Sequence, residues 1–444
     1  MAIAGMGLVT PLGIGVAENW ENLKWLRTGI SCHSYEGQPE LLGYSGTVAA
    51  FDIEGGIPPR LAKEMKFLTR GSRLGFAAAR EAFSDARIDI DAIPPGRRAL
   101  YIASGDTTMV GYNFMYPATR ESAEGKIDFE RLNRAILDKV NPFFLLESIK
   151  NNLFSCLSAS LQFMGPNTSL ALDSPGGATA LELAWRSIRR GHADVALVVG
   201  CGNWITEIPV YEMDGLGILS RCKDGLRSFR PFDRMRDGFI PGEGGAALFL
   251  VAADAAHRRE GVTYGRIRGV GNTVEGRGIQ GMGVPERVSA ESMRSAVEEA
   301  GLDPGDLAFV CPHGSGSQKG DRSELRSIRH LFGSMVSRLP ICGLKPYTGH
   351  LGAASDVAEL IFGIRATLEG IVPATLNFRK SEQEFEELRV SGSHQPGAGT
   401  CFLSTSYGFG GQATSTVIEV TALRDLKAAR PPETDVLRRP WSAT

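Results

Sequence analysis

The sequence predicts a layered α/β fold with largely parallel sheets, and three observations carry that prediction. Eight apolar runs are nearly continuous and mostly rich in β-branched residues, the pattern of strands covered on both faces. Helical patterns alternate with these runs. Three of the runs end in Gly-containing stretches that carry His, Ser or Lys, and in such folds ligands gather beyond the carboxyl ends of strands.

In chain order, a helical pattern over 70–87 leads into the strand ALYIASG at 99–105. Residues 174–190 are good helix formers, entered through the turn Asp173-Ser174-Pro175 and ended before Gly191. The strands VALVVGCG (195–202) and AALFLV (246–251) follow. A second half then uses the same grammar. YGRIRGVG (264–271) precedes a helix over 288–301, AFVCPHG (308–314) a helix over 322–332, and PICGLK (340–345) a helix over 355–369. CFLSTSYG (401–408) and STVIEV (415–420) close it. The expected organisation is therefore an N-terminal half over 1–255, a C-terminal half over 256–421 and a polar, Pro-rich tail over 422–444. Residues 107–160 interrupt the first half with Tyr, Phe, Met and the amphipathic stretch DFERLNRAILDKV, and are expected to form a cap.

Composition narrows the function. The 444 residues carry 48 basic and 50 acidic side chains, which argues against a nucleic-acid surface or an anionic-membrane binder. MAIAGMGLVTPLG has no basic n-region, so no signal peptide is expected. No apolar run approaches a membrane span. Seven scattered Cys without a CxxC pair fit a reducing, cytoplasmic setting and argue against a disulfide frame or a metal site.

The chemistry concentrates in a few turns. PHGSGSQKGDRSE (312–324) places His313 directly after a strand, with Ser315 and Ser317 flanking Gly316 and Asp321 entering the next helix. KPYTGHLGAASDVAE (345–359) places His350 before a small-residue helix start. Two histidines after strands, in a chain with seven, point to one shared site with the cleared helix tip DSPGGA at 173–178. TSYGFGGQAT (405–414) can bring backbone N–H groups close to a ligand.

These stretches resemble the elongating β-ketoacyl-ACP synthases, condensing enzymes of the thiolase superfamily. The likeness runs through GMGLVTPLG (5–13), GPNTSLAL (165–172), RPFDRMRDGFIPGEGGAALFL (230–250), HGSGS–GD (313–321), K–TGH (345–350) and YGFGG (407–411). It implies a thiolase-like fold, two similar α/β halves fused in five αβαβα layers, usually as a dimer. It also implies an acyltransferase that condenses an acyl group with decarboxylated malonyl, both delivered on the phosphopantetheine of acyl carrier protein, with no other cofactor. By this resemblance His313 and His350 stabilise the enolate, Lys345 tunes them and Glu359 partners Lys345. Ser315 and Ser317 stand where threonines bond the pantetheine arm. Phe409 matches a gate whose backbone N–H shares an oxyanion hole with Ser174. Asp321 and Glu324 match supporting acids.

One departure matters most. Counting back from Arg186 places Ser174 where the family has its nucleophilic cysteine, and no cysteine lies nearby. A helix end carries about half a unit charge, enough to lower a thiol's pKa but not to ionise a hydroxyl. Ser174 therefore needs a general base, for which His313 and His350 are the candidates. Plainer roles stand beside these: Ser174 or Asp173 as helix caps, Asp321 as a cap, Lys345–Glu359 as an ion pair and Phe409 as core packing. Three functions remain open: a condensing enzyme acylated on Ser174, a malonyl-ACP decarboxylase, and a non-catalytic partner like the chain-length factors that pair with active synthases.

Overall fold

The computed structural model describes residues 1–32, 43–50, 59–105, 128–139, 146, 149, 151–252, 263–276 and 283–421. In the N-terminal half the main strands are β1 (Ala2–Thr10), β2 (Arg98–Ser104), β3 (Asn167–Leu170), β4 (Val195–Asn203) and β5 (Glu243–Val251), ordered β1-β5-β4-β2-β3 across the sheet. The C-terminal half supplies β6 (Gly265–Val274), β7 (Leu307–Cys311), β8 (Pro340–Ile341), β9 (Arg389–Val390), β10 (Cys401–Tyr407) and β11 (Gln412–Val420), ordered β6-β11-β10-β7-β8-β9. Each half thus runs first strand, last, last but one, second, third, and the C-terminal half adds β9 at its edge. The two sheets touch edge to edge where Ile3 of β1 pairs with Gly265 of β6.

The expectation of largely parallel sheets is corrected. β2 pairs in parallel with β3 and β4, and β7 with β8 and β10. The pairs β1–β5, β4–β5, β6–β11 and β10–β11 are antiparallel. Continuous apolar runs report burial on both faces, not direction. The link from Tyr407 to Gln412 is too short for a crossover and forces a hairpin.

Six helices complete the layers: α1 (Arg70–Ala86), α2 (Asn152–Leu161), α3 (Gly176–Arg189), α4 (Ala290–Ala300), α5 (Gln318–Phe332) and α6 (Ala353–Glu369). α1 covers the outer face of β1, β5 and β4, with α2 beside it. α4 covers β6, β11 and β10, with α5 beside it. Between the sheets α3 and α6 pack on one another, and each touches strands of both halves. The result is the αβαβα stack.

α2 corrects part of the cap expectation. Its Leu153, Cys156, Leu157 and Leu161 recur at helical spacing and are buried in the N-terminal core, so 152–161 is scaffold. Phe129–Lys139 forms a helix, as its pattern predicts. Residues 107–127, most of 140–150 and the tail 422–444 lie outside the described residues. Among the described residues no helix is long and apolar enough to cross a membrane.

Candidate active site

The tip of α3 receives its anion from the other half of the chain. Pro175 holds the N-cap position and gives no side-chain cap. Instead Asp356, in the first turn of α6, reaches across. Its Oδ2 accepts the Gly177 N–H at 2.9 Å and its Oδ1 accepts the Ser174 hydroxyl at 2.7 Å. The Gly352 carbonyl is a longer neighbour of Ser174 Oγ, at 3.2 Å. A carboxylate thus meets an orphan amide at the positive end of a helix. Burial pushes the Asp356 carboxyl up to about 6, opposed by hydrogen bonds from Ser174, Ser406 and Gly177 and by the charge of Lys345. Two glycines permit the close approach. A Cβ on Gly177 would lie 2.2 Å from the Ala353 carbonyl oxygen, and one on Gly408 would lie 2.1 Å from that of Ser174.

The histidines arrive from two loops of the C-terminal half. His313 follows β7, and His350 follows the short helical turn Lys345–Thr348. Both are buried, and their Nε2 atoms stand 3.3 Å apart. The Gly352 N–H donates to His350 Nδ1 at 3.2 Å, which leaves the proton of a neutral ring on Nε2, facing His313. His313 Nδ1 has no hydrogen-bond partner among the described residues, so no such bond fixes its tautomer. Trp204 stacks on His350 with ring centres 4.5 Å apart and donates its indole N–H to Asp173 at 2.9 Å. The Asp173 side chain therefore steadies Trp204 against His350, while its backbone carbonyl accepts the Gly176 N–H at the start of α3. Burial, and after it the charge of Lys345, push both imidazoles well below their usual range, and His350 pushes His313 down further. Both are neutral at pH 7. Nitrogens this close can both reach one oxygen at about 2.9 Å from each.

Supporting groups fix the loops. Glu324 is fully buried and accepts the N–H groups of His313 and Gly314 at 2.7 and 2.8 Å. Burial outweighs those bonds and holds its carboxyl up at about 8. Lys345 donates to the His313 carbonyl at 2.5 Å and to Glu359 Oε1 at 2.7 Å, so it is an ion pair and also a clamp on His313. Burial, against Lys345, raises Glu359 to about 7. Asp321 lies inside α5, whose N-cap position is Ser317, so the capping expectation is corrected. It accepts from Gly316 and Phe232 amides at 3.0 and 2.7 Å and faces buried Arg236 at 3.4 Å. Ser315 and Ser317 hydrogen-bond one another at 2.8 Å on the pocket wall. Phe409 is 59% exposed at the rim of the site, which rules out core packing.

These groups enclose a cavity of about 90 Å³ lined by Ser174, His313, His350, Phe239, Tyr407 and Phe409. A neighbouring cavity of about 400 Å³ shares Asp173, Trp204 and Phe409 with it. The structure therefore brings Ser174, His313 and His350 into one pocket. The hydroxyl's partner is the Asp356 carboxylate, not an imidazole, and its bond is given to that acid, which removes the N-cap role for Ser174. Sequence reasoning did not assign Asp356 a role. Its only signal was the local departure LGAASDVAE, where an acid enters a run of small apolar residues.

The family model described as "Beta-ketoacyl synthase, N-terminal domain" matches residues 1–256, and "Beta-ketoacyl synthase, C-terminal domain" matches 264–379. The chain belongs to the β-ketoacyl synthase family. It is 28% identical over 416 residues to 3-oxoacyl-[acyl-carrier-protein] synthase 2 of Staphylococcus aureus (strain COL), covering 93% of this chain and 96% of the relative. It is 27% identical over 432 residues to the actinorhodin polyketide putative beta-ketoacyl synthase 1 of Streptomyces coelicolor, covering 97% and 89%. A solved type II polyketide ketosynthase, in complex with its acyl-carrier protein and bound to the hexaketide, shares the fold. Its TM-score is 0.81 at 21% identity, over 95% of this chain and 98% of that one. In this β-ketoacyl synthase family member, two neutral imidazoles with Nε2 atoms 3.3 Å apart share a pocket with a hydroxyl already bonded to a carboxylate.

Proposed function

We propose that this chain decarboxylates malonyl thioesters carried on acyl carrier protein, with condensation following wherever Ser174 bears an acyl group. The observation that carries this reading is the 3.3 Å approach of two neutral imidazoles beside Ser174. As the bond from the malonyl α-carbon to its carboxylate breaks, carbon dioxide leaves and the electron pair moves onto the thioester oxygen. Imidazole N–H donors from His313 and His350 lower the energy of that enolate. The enolate carbon then takes a proton, or attacks an acyl carbon to form the new C–C bond. Ser315 and Ser317 offer hydroxyls to the pantetheine arm on the same wall. The carrier protein is the expected partner, and a second ketosynthase-like chain, identical or not, is the expected companion in a dimer.

The test is direct. Purified chain is incubated with malonyl-ACP, and intact mass follows its conversion to acetyl-ACP. Conversion supports the reading; none, by a folded protein, leaves the non-catalytic partner as the better description.

A further inference from the structure

We propose that Asp356 is the general base for Ser174, so that the serine–aspartate pair, not a thiolate, forms the acyl-enzyme of this chain. The inference rests on the reading above and deepens it. A serine hydroxyl attacks only when a base within hydrogen-bond reach takes its proton. Asp356 Oδ1 is that atom, 2.7 Å from Ser174 Oγ. The Gly177 N–H pins Oδ2 at 2.9 Å, which fixes the carboxylate's aim. Neither imidazole forms a hydrogen bond with Ser174 in the structure, so both stay available to the thioester oxygen.

Burial strengthens the case. The Asp356 carboxyl is raised to about 6, above an ordinary aspartate, by burial and against the pull of Lys345. It is therefore ionised at neutral pH and yet nearly as basic as a free imidazole. Glu359 on the same helix and Lys345 are the other titratable groups that interact with it. The step balances. Ser174 Oγ bonds to the thioester carbonyl carbon and the carbon–sulfur bond breaks. The hydroxyl proton passes to Asp356 and then to the departing pantetheine sulfur, which regenerates the carboxylate.

The same placement opposes a cysteine. A thiolate at position 174 would face a second negative charge within contact distance, and the helix tip would already be occupied by an anion. The like charge raises a thiol's pKa and withdraws its reactive form. Serine and aspartate are thus a matched exchange, and Asp356 changes the sign of its effect with the nucleophile.

That sign is what the experiment reads. Wild type, Asp356→Asn, Ser174→Cys and Ser174→Cys/Asp356→Asn are incubated with acetyl-ACP, and protein acylation is timed by intact mass, with Ser174→Ala locating the adduct. In the serine background Asp356→Asn should slow acylation by about 100-fold or more. In the cysteine background the same change should speed it about tenfold. A purely structural cap would slow both. Asp356→Ser, which offers an oxygen to the Gly177 amide, replaces Asp356→Asn should the latter unfold. Wild type without an adduct, acylation unchanged in the serine background, or slowing in both backgrounds overturns the proposal. Loss of malonyl-ACP decarboxylation by wild type is scored separately and sinks only the underlying reading.

Discussion

Replacing His313 with Ala gives the sharpest measure of the proposed enolate site. The substitution removes one of two ring nitrogens that stand 3.3 Å apart, each proposed to donate to the thioester oxygen, and it leaves the other in place. His350 keeps its lock on the Gly352 amide and its stack on Trp204, so the remaining donor stays aimed. One directed donor to a developing oxyanion is worth about 2.7–4 kcal/mol, or roughly 10²–10³ in rate. Conversion of malonyl-ACP to acetyl-ACP, timed by intact mass at saturating substrate, should fall by that factor. His350→Ala should cost a similar amount, and the double variant little more, because groups acting on one oxygen are not additive. A folded His313→Ala protein within about fivefold of wild type would refute enolate stabilisation by the pair.

Lys345→Met should move the acid limb of the decarboxylation profile to higher pH, because the Lys345 charge helps hold both imidazoles below their usual range. A protonated imidazole would grip the malonyl carboxylate instead of releasing it. The same change leaves Glu359 without its cation and should cost about 3 kcal/mol in a denaturant melt. Gly177→Ala places a Cβ 2.2 Å from the Ala353 carbonyl oxygen, so α3 and α6 must part, at about 1–3 kcal/mol by thermal or denaturant unfolding. Glu81 and Glu324 are each held up at about 8, chiefly by burial. The folded chain keeps those protons while the unfolded chain sheds them near its ordinary glutamate value, so the two acids lower stability as pH rises from about 4.5 to 8. Below about 6.5 the depressed histidines act in the opposite sense, so the net fall is expected above it. Calorimetry at about pH 6.5 and about pH 8.5 checks this, and a Tm that is equal or higher at the upper pH counts against it.

Much of this was legible because burial and turn chemistry leave local marks. β4 and β5 read as strands since every residue is buried. β1 did not, because Gly5 and Gly7 break its apolar run. Those glycines answer α1: a Cβ on Gly7 would lie 1.9 Å from the Ala78 carbonyl oxygen. Strand direction was hidden for a different reason, since alternation and apolarity are the same whichever way a neighbour runs. The His313, His350 and Lys345 cluster stood out through position after strands. Asp356 did not, because its partner lies 182 positions earlier. An acid in the first turn of a helix also reads as an ordinary complement to that helix's own dipole.

Ser174 belongs to the first half, while His313, His350 and Asp356 belong to the second. The acyl-enzyme step proposed above therefore draws on both halves at once. Were the backbone severed between Val251 and Gly265, the proposed Ser174–Asp356 pair would exist only after α3 and α6 had docked. Acylation of Ser174, the outcome proposed above, would thus double as a reporter of how the two halves assemble.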